Sequence, residues 1–217
     1  MMRNSNGMGR GLLIAALLMV GLAVAAPAYA ISYDLTSDHC TGGCGTAPFG
    51  TVTLTQNVGN VDFTVHLING NSFVKSGAAD LQNFKFNGNG VVLGDITVDA
   101  HSPVLVAATG TFNGNGTGAF SFGINCPGCG NGGSGDFAND IVFHVANATI
   151  ADLTVPNALG NVFVADILSG TTGNTGPVDA TTPNNNVPEP ASLLLLGAGL
   201  AGIGIWRRKA VKSAEGV

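Results

Sequence analysis

The sequence predicts an all-β domain, an antiparallel β-sandwich or jelly-roll-like fold, flanked by an N-terminal signal helix and one short C-terminal transmembrane helix. Apolar residues alternate with polar ones over short runs, Gly/Asn turns separate the runs, and Glu, Lys, Arg and Gln are nearly absent from the middle of the chain. Alternation over four to eight residues marks half-buried strands. The missing residue types are the ones that populate surface helices. Only 10% of the 217 residues are charged, against about 25% in ordinary domains.

Residues 1–30 read as a secretory signal peptide. Arg3 and Arg10 supply the positive start and Leu12 to Ala26 an uncharged apolar run. Ala28-Tyr29-Ala30 has the small-x-small form that signal peptidase cuts, which places the mature N-terminus at Ile31. Residues 31–169 then form the β-rich extracytoplasmic domain. Thr51 to Thr55 alternates around Val52 and Leu54. Val61, Phe63, Val65 and Leu67 alternate with Asp62, Thr64 and His66. Phe84 pairs with Phe86 and Phe120 with Phe122 on single faces, and Ile141–Ile150 and Asn161–Leu168 are longer β-prone runs. The pattern gives about eight to ten strands and no amphipathic helix.

The turns carry their own signal. Asn69-Gly70 lies between two apolar runs, and Phe86-Asn87-Gly88-Asn89-Gly90 recurs as Phe112-Asn113-Gly114-Asn115-Gly116. Asn-Gly supplies the positive φ angles of tight hairpins, so two similar hairpin turns are expected. All 11 Phe lie between Phe49 and Phe163, which predicts a Phe/Val/Ile/Leu core. The only Trp is in the tail, so the domain lacks the usual stacking platform for sugars. Residues 170–186, mostly Thr, Gly, Asn and Pro, have too little apolar surface to order themselves and read as a flexible linker.

Charge is sorted along the chain. Residues 31–187 hold two bases, Lys75 and Lys85, and 11 Asp without a Glu, a net charge of −9. Nucleic acid is excluded as a partner, because phosphate binding needs clustered Lys and Arg.

The four cysteines fall in Cys40-Thr41-Gly42-Gly43-Cys44 and Cys126-Pro127-Gly128-Cys129. Export favours disulfides, and three connectivities are open. Turn geometry favours Cys40–Cys44 and Cys126–Cys129, each contributing about 2 kcal/mol on the loop-entropy model; a long cross-link from Cys40 to Cys126 would contribute about 4–5 kcal/mol. A four-Cys zinc site has acceptable spacing in the wrong compartment. No βαβ pattern supports a redox Cys-x-x-Cys.

A search for chemistry yields little. Gly133-Ser134-Gly135 lacks the frame of a serine nucleophile elbow, and no His-Glu-x-x-His exists. His39, His66, His101 and His144 are scattered. The expectation is no enzyme and no cofactor. Asp recurs at spacing four in Asp34/Asp38, Asp95/Asp99 and Asp136/Asp140. Asp carboxylates in Gly-rich loops suit Ca²⁺, although no Asp-x-Asp-x-Asp-Gly loop is present; Asp95, Asp99, Asp136 and Asp140 are the weak calcium candidates.

The tail has three parts. Val187-Pro188-Glu189-Pro190 precedes an apolar helix, residues 191–206, and then the basic cluster Arg207-Arg208-Lys209; residues 211–217 follow as a cytoplasmic tail. Sixteen apolar residues span roughly 24 Å, short for a bilayer core of about 30 Å but workable with Trp206 at the interface and snorkelling Arg side chains. The basic cluster stays cytoplasmic, which agrees with the topology set by the signal peptide. Residues 187–210 resemble the PEP-CTERM sorting signal of Gram-negative bacteria. That resemblance implies recognition and cleavage by an exosortase, transient membrane anchoring, and delivery to the cell surface or extracellular matrix. Two prolines hold the motif extended, as a protease-like cleft requires. The opening of the mature region, around Asp34–Thr36, Cys40–Gly45 and Pro48–Gln56, is also similar to other exported proteins bearing this tail. The reading is therefore an exported structural or interaction protein, with a polysaccharide- or calcium-binding module as the alternative and exopolysaccharide as a partner.

Overall fold

The computed structural model describes residues 29–76 and 81–184. Within them the strands are β1 (Tyr29–Leu35), β2 (Ser37–Asp38), β3 (Gly50–Asn57), β4 (Asn60–Leu67), β5 (Ser72–Phe73), β6 (Phe84–Phe86), β7 (Ile96–Val98), β8 (Val106–Gly114), β9 (Gly118–Asn125), β10 (Ile141–Ala146), β11 (Phe163–Leu168), β12 (Thr175–Ala180) and β13 (Pro183–Asn184). One six-stranded sheet runs β13-β1-β3-β4-β10-β7, and a seven-stranded sheet runs β2-β12-β11-β6-β9-β8 with β5 beside β11. Every pairing is antiparallel. The all-β expectation holds. The predicted signal helix and the transmembrane helix at 191–206 lie outside the described residues; among those described, no helix is long and apolar enough to cross a membrane.

The alternation read in the sequence sets the inner faces. In β4, Val61, Phe63, Val65 and Leu67 are buried while Asp62 and His66 are exposed. β3 alternates likewise around Val52 and Leu54. Rings from the two sheets meet between them. Phe63 lies 5.4 Å from Phe86 and 5.9 Å from Phe163, and Phe143 of β10 lies 5.3 Å from Phe86. Tyr33 of β1 meets Phe163 edge-on at 5.0 Å. This Phe-rich layer is the core that the composition predicted.

Four details differ from the sequence reading. The strand number is thirteen among the described residues, because β2, β5 and β13 have two residues each; such short pairings leave no periodic signal. The run Ile141–Ile150 is cut at Ala146. Asn147 turns the chain at φ 56, and a one-turn helix, α1 (Ile150–Leu153), follows. Thr149 caps α1 by accepting the Asp152 N–H, and its own hydroxyl and N–H donate to the Asp152 carboxylate at 2.6 and 3.0 Å. Those bonds hold the Asp152 carboxyl below its ordinary range.

The repeated Phe-Asn-Gly-Asn-Gly words also diverge. The second copy forms the tip of the β8–β9 hairpin, with Gly116 at φ 78 and the Thr117 N–H bonded to Gly114 at 3.0 Å. The first is not a hairpin. It leaves β6 toward a 3-10 turn at Leu93–Asp95, and its Asn89 N–H bonds the Asp152 carbonyl. The same letters adopt different roles because β6 pairs with β9 and β11, leaving no place for a hairpin partner.

The largest correction concerns residues 170–186. They are not a linker through their length: β12 sits between β11 and β2, with Val178, Asp179 and Ala180 buried, and β13 pairs with β1. The domain therefore runs to Asn184, beyond the boundary set at 169. Low hydrophobicity misled because this strand needs small residues. A Cβ on Gly176 would stand 2.5 Å from Cys40 Cα, so only glycine lets the first cysteine loop close over β12.

Candidate functional site

The four cysteines resolve as local pairs. Cys40–Cys44 and Cys126–Cys129 are disulfides with Cα separations of 5.5 and 5.4 Å. The cross-linked and zinc alternatives are thereby excluded, since both sulfurs of each loop are used. The Asp38 carboxylate accepts the N–H groups of Cys40 at 2.9 Å and Cys44 at 2.7 Å. The loop is clasped from the other side: the Ser169 hydroxyl donates to the Cys44 carbonyl at 2.7 Å, and the Asn174 amide to the Gly43 carbonyl at 2.7 Å. The second loop is held by Asn83, which accepts the Cys126 N–H at 2.8 Å, and by the Lys75 ammonium, 3.1 Å from the Cys126 carbonyl.

Beside the first loop lies a cavity of about 320 Å³, lined by His39, Thr41, Ser76, Asn115, Asn174 and Thr175 among others. Its lining offers hydroxyl, amide and imidazole groups and no Lys or Arg. His39 Nε2 stands 2.7 Å from Oδ2 of Asp179, a residue 140 positions away on β12. Asp179 is 1% exposed, and its Oδ1 has no hydrogen-bond partner. Burial pushes its carboxyl above the ordinary value, outweighing the opposing influence of the neighbouring His39 and Ser37 side chains. A group whose folded value is raised favours the fold most below its unfolded value, about 3.9 for Asp. That contribution is lost as pH rises through the raised folded value. Relative to Asp179→Asn, the native protein is therefore expected to lose stability as pH is raised from strongly acidic toward neutral. Thermal melts of both proteins across that range check it; a constant difference between them would refute it.

The calcium candidates are not gathered. Asp95 accepts the Val92 N–H at 2.9 Å and an Asn147 amide hydrogen at 3.3 Å. Asp99 stands 3.4 Å from His144, Asp136 accepts the Ser72 hydroxyl at 2.7 Å, and Asp140 stands 2.7 Å from His66. Each carboxylate serves a separate local contact. Among the described residues, one group of three potential ligands converges, Asp38 with Cys40 and Cys44. Its sulfurs are in a disulfide and its carboxylate is occupied by two N–H groups, so it does not offer a metal site.

Sequence reasoning missed the fate of the lysines. Lys75 and Lys85, the two bases of residues 31–187, are 7% and 0% exposed. Lys85 Nζ stands 3.2 Å from Oδ1 of the buried Asp166. Among the described residues, every exposed formal charge apart from histidine is therefore an Asp carboxylate. The signal was present in the count: two bases in so acidic a segment invite the question of what buries them.

Of the remaining predicted residues, Ala30 lies in β1 opposite Thr55. Ala28, Val187, Pro188, Glu189, Pro190, Trp206, Arg207, Arg208 and Lys209 lie outside the described residues. Fold and disulfides define a disulfide-bonded, all-β domain. A family model, the PEP-CTERM protein-sorting motif, matches residues 186–209. The chain thus carries the C-terminal sorting signal of exosortase substrates, which sorts it to the cell surface. No curated protein and no solved structure shows significant similarity to the chain.

Proposed function

We propose that this chain is a non-enzymatic structural and interaction protein of the cell surface or extracellular matrix. Signal peptidase cuts after Ala30, the apolar segment 191–206 holds the chain transiently in the membrane, and exosortase cuts at Val187–Pro190. The sorting motif at 186–209 is the observation that carries this reading. The β domain supports it in two ways. Its exposed formal charges are carboxylates, which keep it hydrated and soluble among surface polymers. Its loops are pinned by disulfides suited to an oxidising compartment. The last described strand ends at Asn184, so a cut within the motif leaves every described strand in place. The polar cavity at His39 favours a second reading, contact with a hydroxyl-rich exopolysaccharide, because its lining of hydroxyl and amide groups matches neutral sugar hydroxyls.

Replacing Pro188, Glu189 and Pro190 with alanine is expected to leave the tail uncut. The variant should accumulate in the membrane fraction at the mass of the unprocessed tail, and the surface or released form should be lost. Intact-mass analysis of membrane and surface fractions decides. Normal release at the processed mass would overturn the assignment.

A further inference from the structure

A sheet edge presents unpaired N–H and C=O groups to any other strand, so folds blunt their edges with short strands, proline, charge or bulges. Among the described residues the two sheets end in four edge strands, and three of them are blunted. β13 has two residues, one of them Pro183. β2 has two, one of them Asp38. β7 has three and runs straight into Asp99. The fourth edge, β8, is nine residues long and carries no charge. No Asp, Glu, Lys or Arg stands anywhere between Asp99 and Asp136.

Apolar residues gather at the start of this edge. Val104 is 72% exposed and Val106 40%, and the 3-10 turn lying against β8 brings Val92 at 62% and Leu93 at 41%. Asp95 on that turn is engaged by the Val92 N–H and by Asn147. The ladder of β8 with β9 is regular from Val106 to Thr109, and a bulge follows between Thr109 and Phe112. The bulge bends the second half of the edge away; beside the first half no further strand is paired among the described residues.

We infer that β8 is a self-association edge and that its occupant is β8 of a second copy of this chain. The two strands pair antiparallel about a two-fold axis near Val106, joining two seven-stranded sheets edge to edge. Charge selects the partner and the place. Each copy carries −9 over residues 31–187, with both lysines buried. Two copies therefore repel wherever carboxylates face each other, and β8, which itself carries no carboxylate, is where they meet with the least of that penalty. Backbone pairing supplies direction, as in other strand additions, and the four apolar side chains bring the contact its burial. One edge of this kind per copy closes as a dimer and does not propagate into a fibre. The pairing depends on the edge itself and not on where the chain is delivered.

Sedimentation of the protein purified in the form the cells leave it, from micromolar to millimolar concentration, tests this. The wild type is expected to double in mass with concentration, and more readily at high salt, where carboxylate repulsion is screened. Val104→Asp with Val106→Asp should stay monomeric with an unchanged far-ultraviolet circular dichroism spectrum. Val58→Asp, at a turn position 92% exposed and away from β8, should still dimerise. Thr109→Asp, at an exposed position in the regular half of the same strand, repeats the test if the valine pair fails to fold. A wild type that stays monomeric throughout, leaving the edge free or to another partner, overturns the inference. So does association that persists in both β8 variants.

Discussion

Lys85→Met is expected to lower the thermal midpoint by roughly 6–20 °C, from a loss of about 3–5 kcal/mol. Lys85 is fully buried on β6, and its ammonium lies 3.2 Å from Asp166 Oδ1 and 3.4 Å from the Gln82 carbonyl. Methionine matches the aliphatic stem but brings no charge. The Asp166 carboxylate, 1% exposed, would then stay ionised without its cation or take up a proton, and both cost free energy. The cost belongs to the stranded partner more than to the lost attraction. Lys85→Met with Asp166→Leu should therefore recover most of the loss, since a buried pair replaced by apolar residues of similar volume is often neutral. Melting curves of the single and double variants measure this. A single variant melting with the wild type would show that the pair does not support the fold.

Phe63→Ala is expected to cost about 3–5 kcal/mol, the range for emptying a buried aromatic site. Phe63 is fully buried at the centre of β4. It stacks on Phe143 of the neighbouring strand at 4.4 Å with planes 12° apart, and meets Phe86 and Phe163 of the opposite sheet. Removing it opens a cavity between two hydrogen-bonded sheets, whose ladders prevent collapse into the space. Each aromatic pair also loses its quadrupolar preference, about 0.5–1.5 kcal/mol beyond area burial. Phe63→Leu, which keeps most of the volume, should cost clearly less. Thr64→Ala, its half-exposed neighbour on the opposite face, should stay within about 0.5 kcal/mol of wild type. Urea midpoints rank the three; equal midpoints for Phe63→Ala and Thr64→Ala would contradict the central role of the ring.

The parts of the fold that were legible are those encoded by near neighbours. Val61 to Leu67 declares a strand because side chains alternate faces within one segment. Cys40 and Cys44, or Cys126 and Cys129, are three or four residues apart, so a tight turn suffices to join them. The Asn-Gly words declared turns but not which strands the turns join, and only one of the two copies became a hairpin. Residues 170–184 look like a linker in composition because composition scores a segment for what it can bury alone. β12 is ordered by hydrogen bonds from β11 and by the loop that closes over Gly176.

The candidate site divides the same way. The PEP-CTERM signal was fully readable at Val187–Lys209, because a processing enzyme meets it as a linear segment, with information in residue order and hydropathy. His39 and Asp179 carry no mutual signal at a separation of 140 residues; the adjacency of β2 and β12 alone creates their contact. The four aspartates read as calcium candidates are spaced suggestively along the chain, but each is engaged in a contact of its own.

By itself, then, the sequence determined the sorting signal of this protein, its all-β class and its local disulfides, since each rests on contacts or motifs within one short stretch of chain. The tertiary structure alone decided that both lysines are buried, that Asp179 is desolvated behind His39, and that β8 is the one long uncharged edge among those described. Those properties arise where distant strands become neighbours, and burial and pairing across a sheet have no counterpart in the linear order of residues.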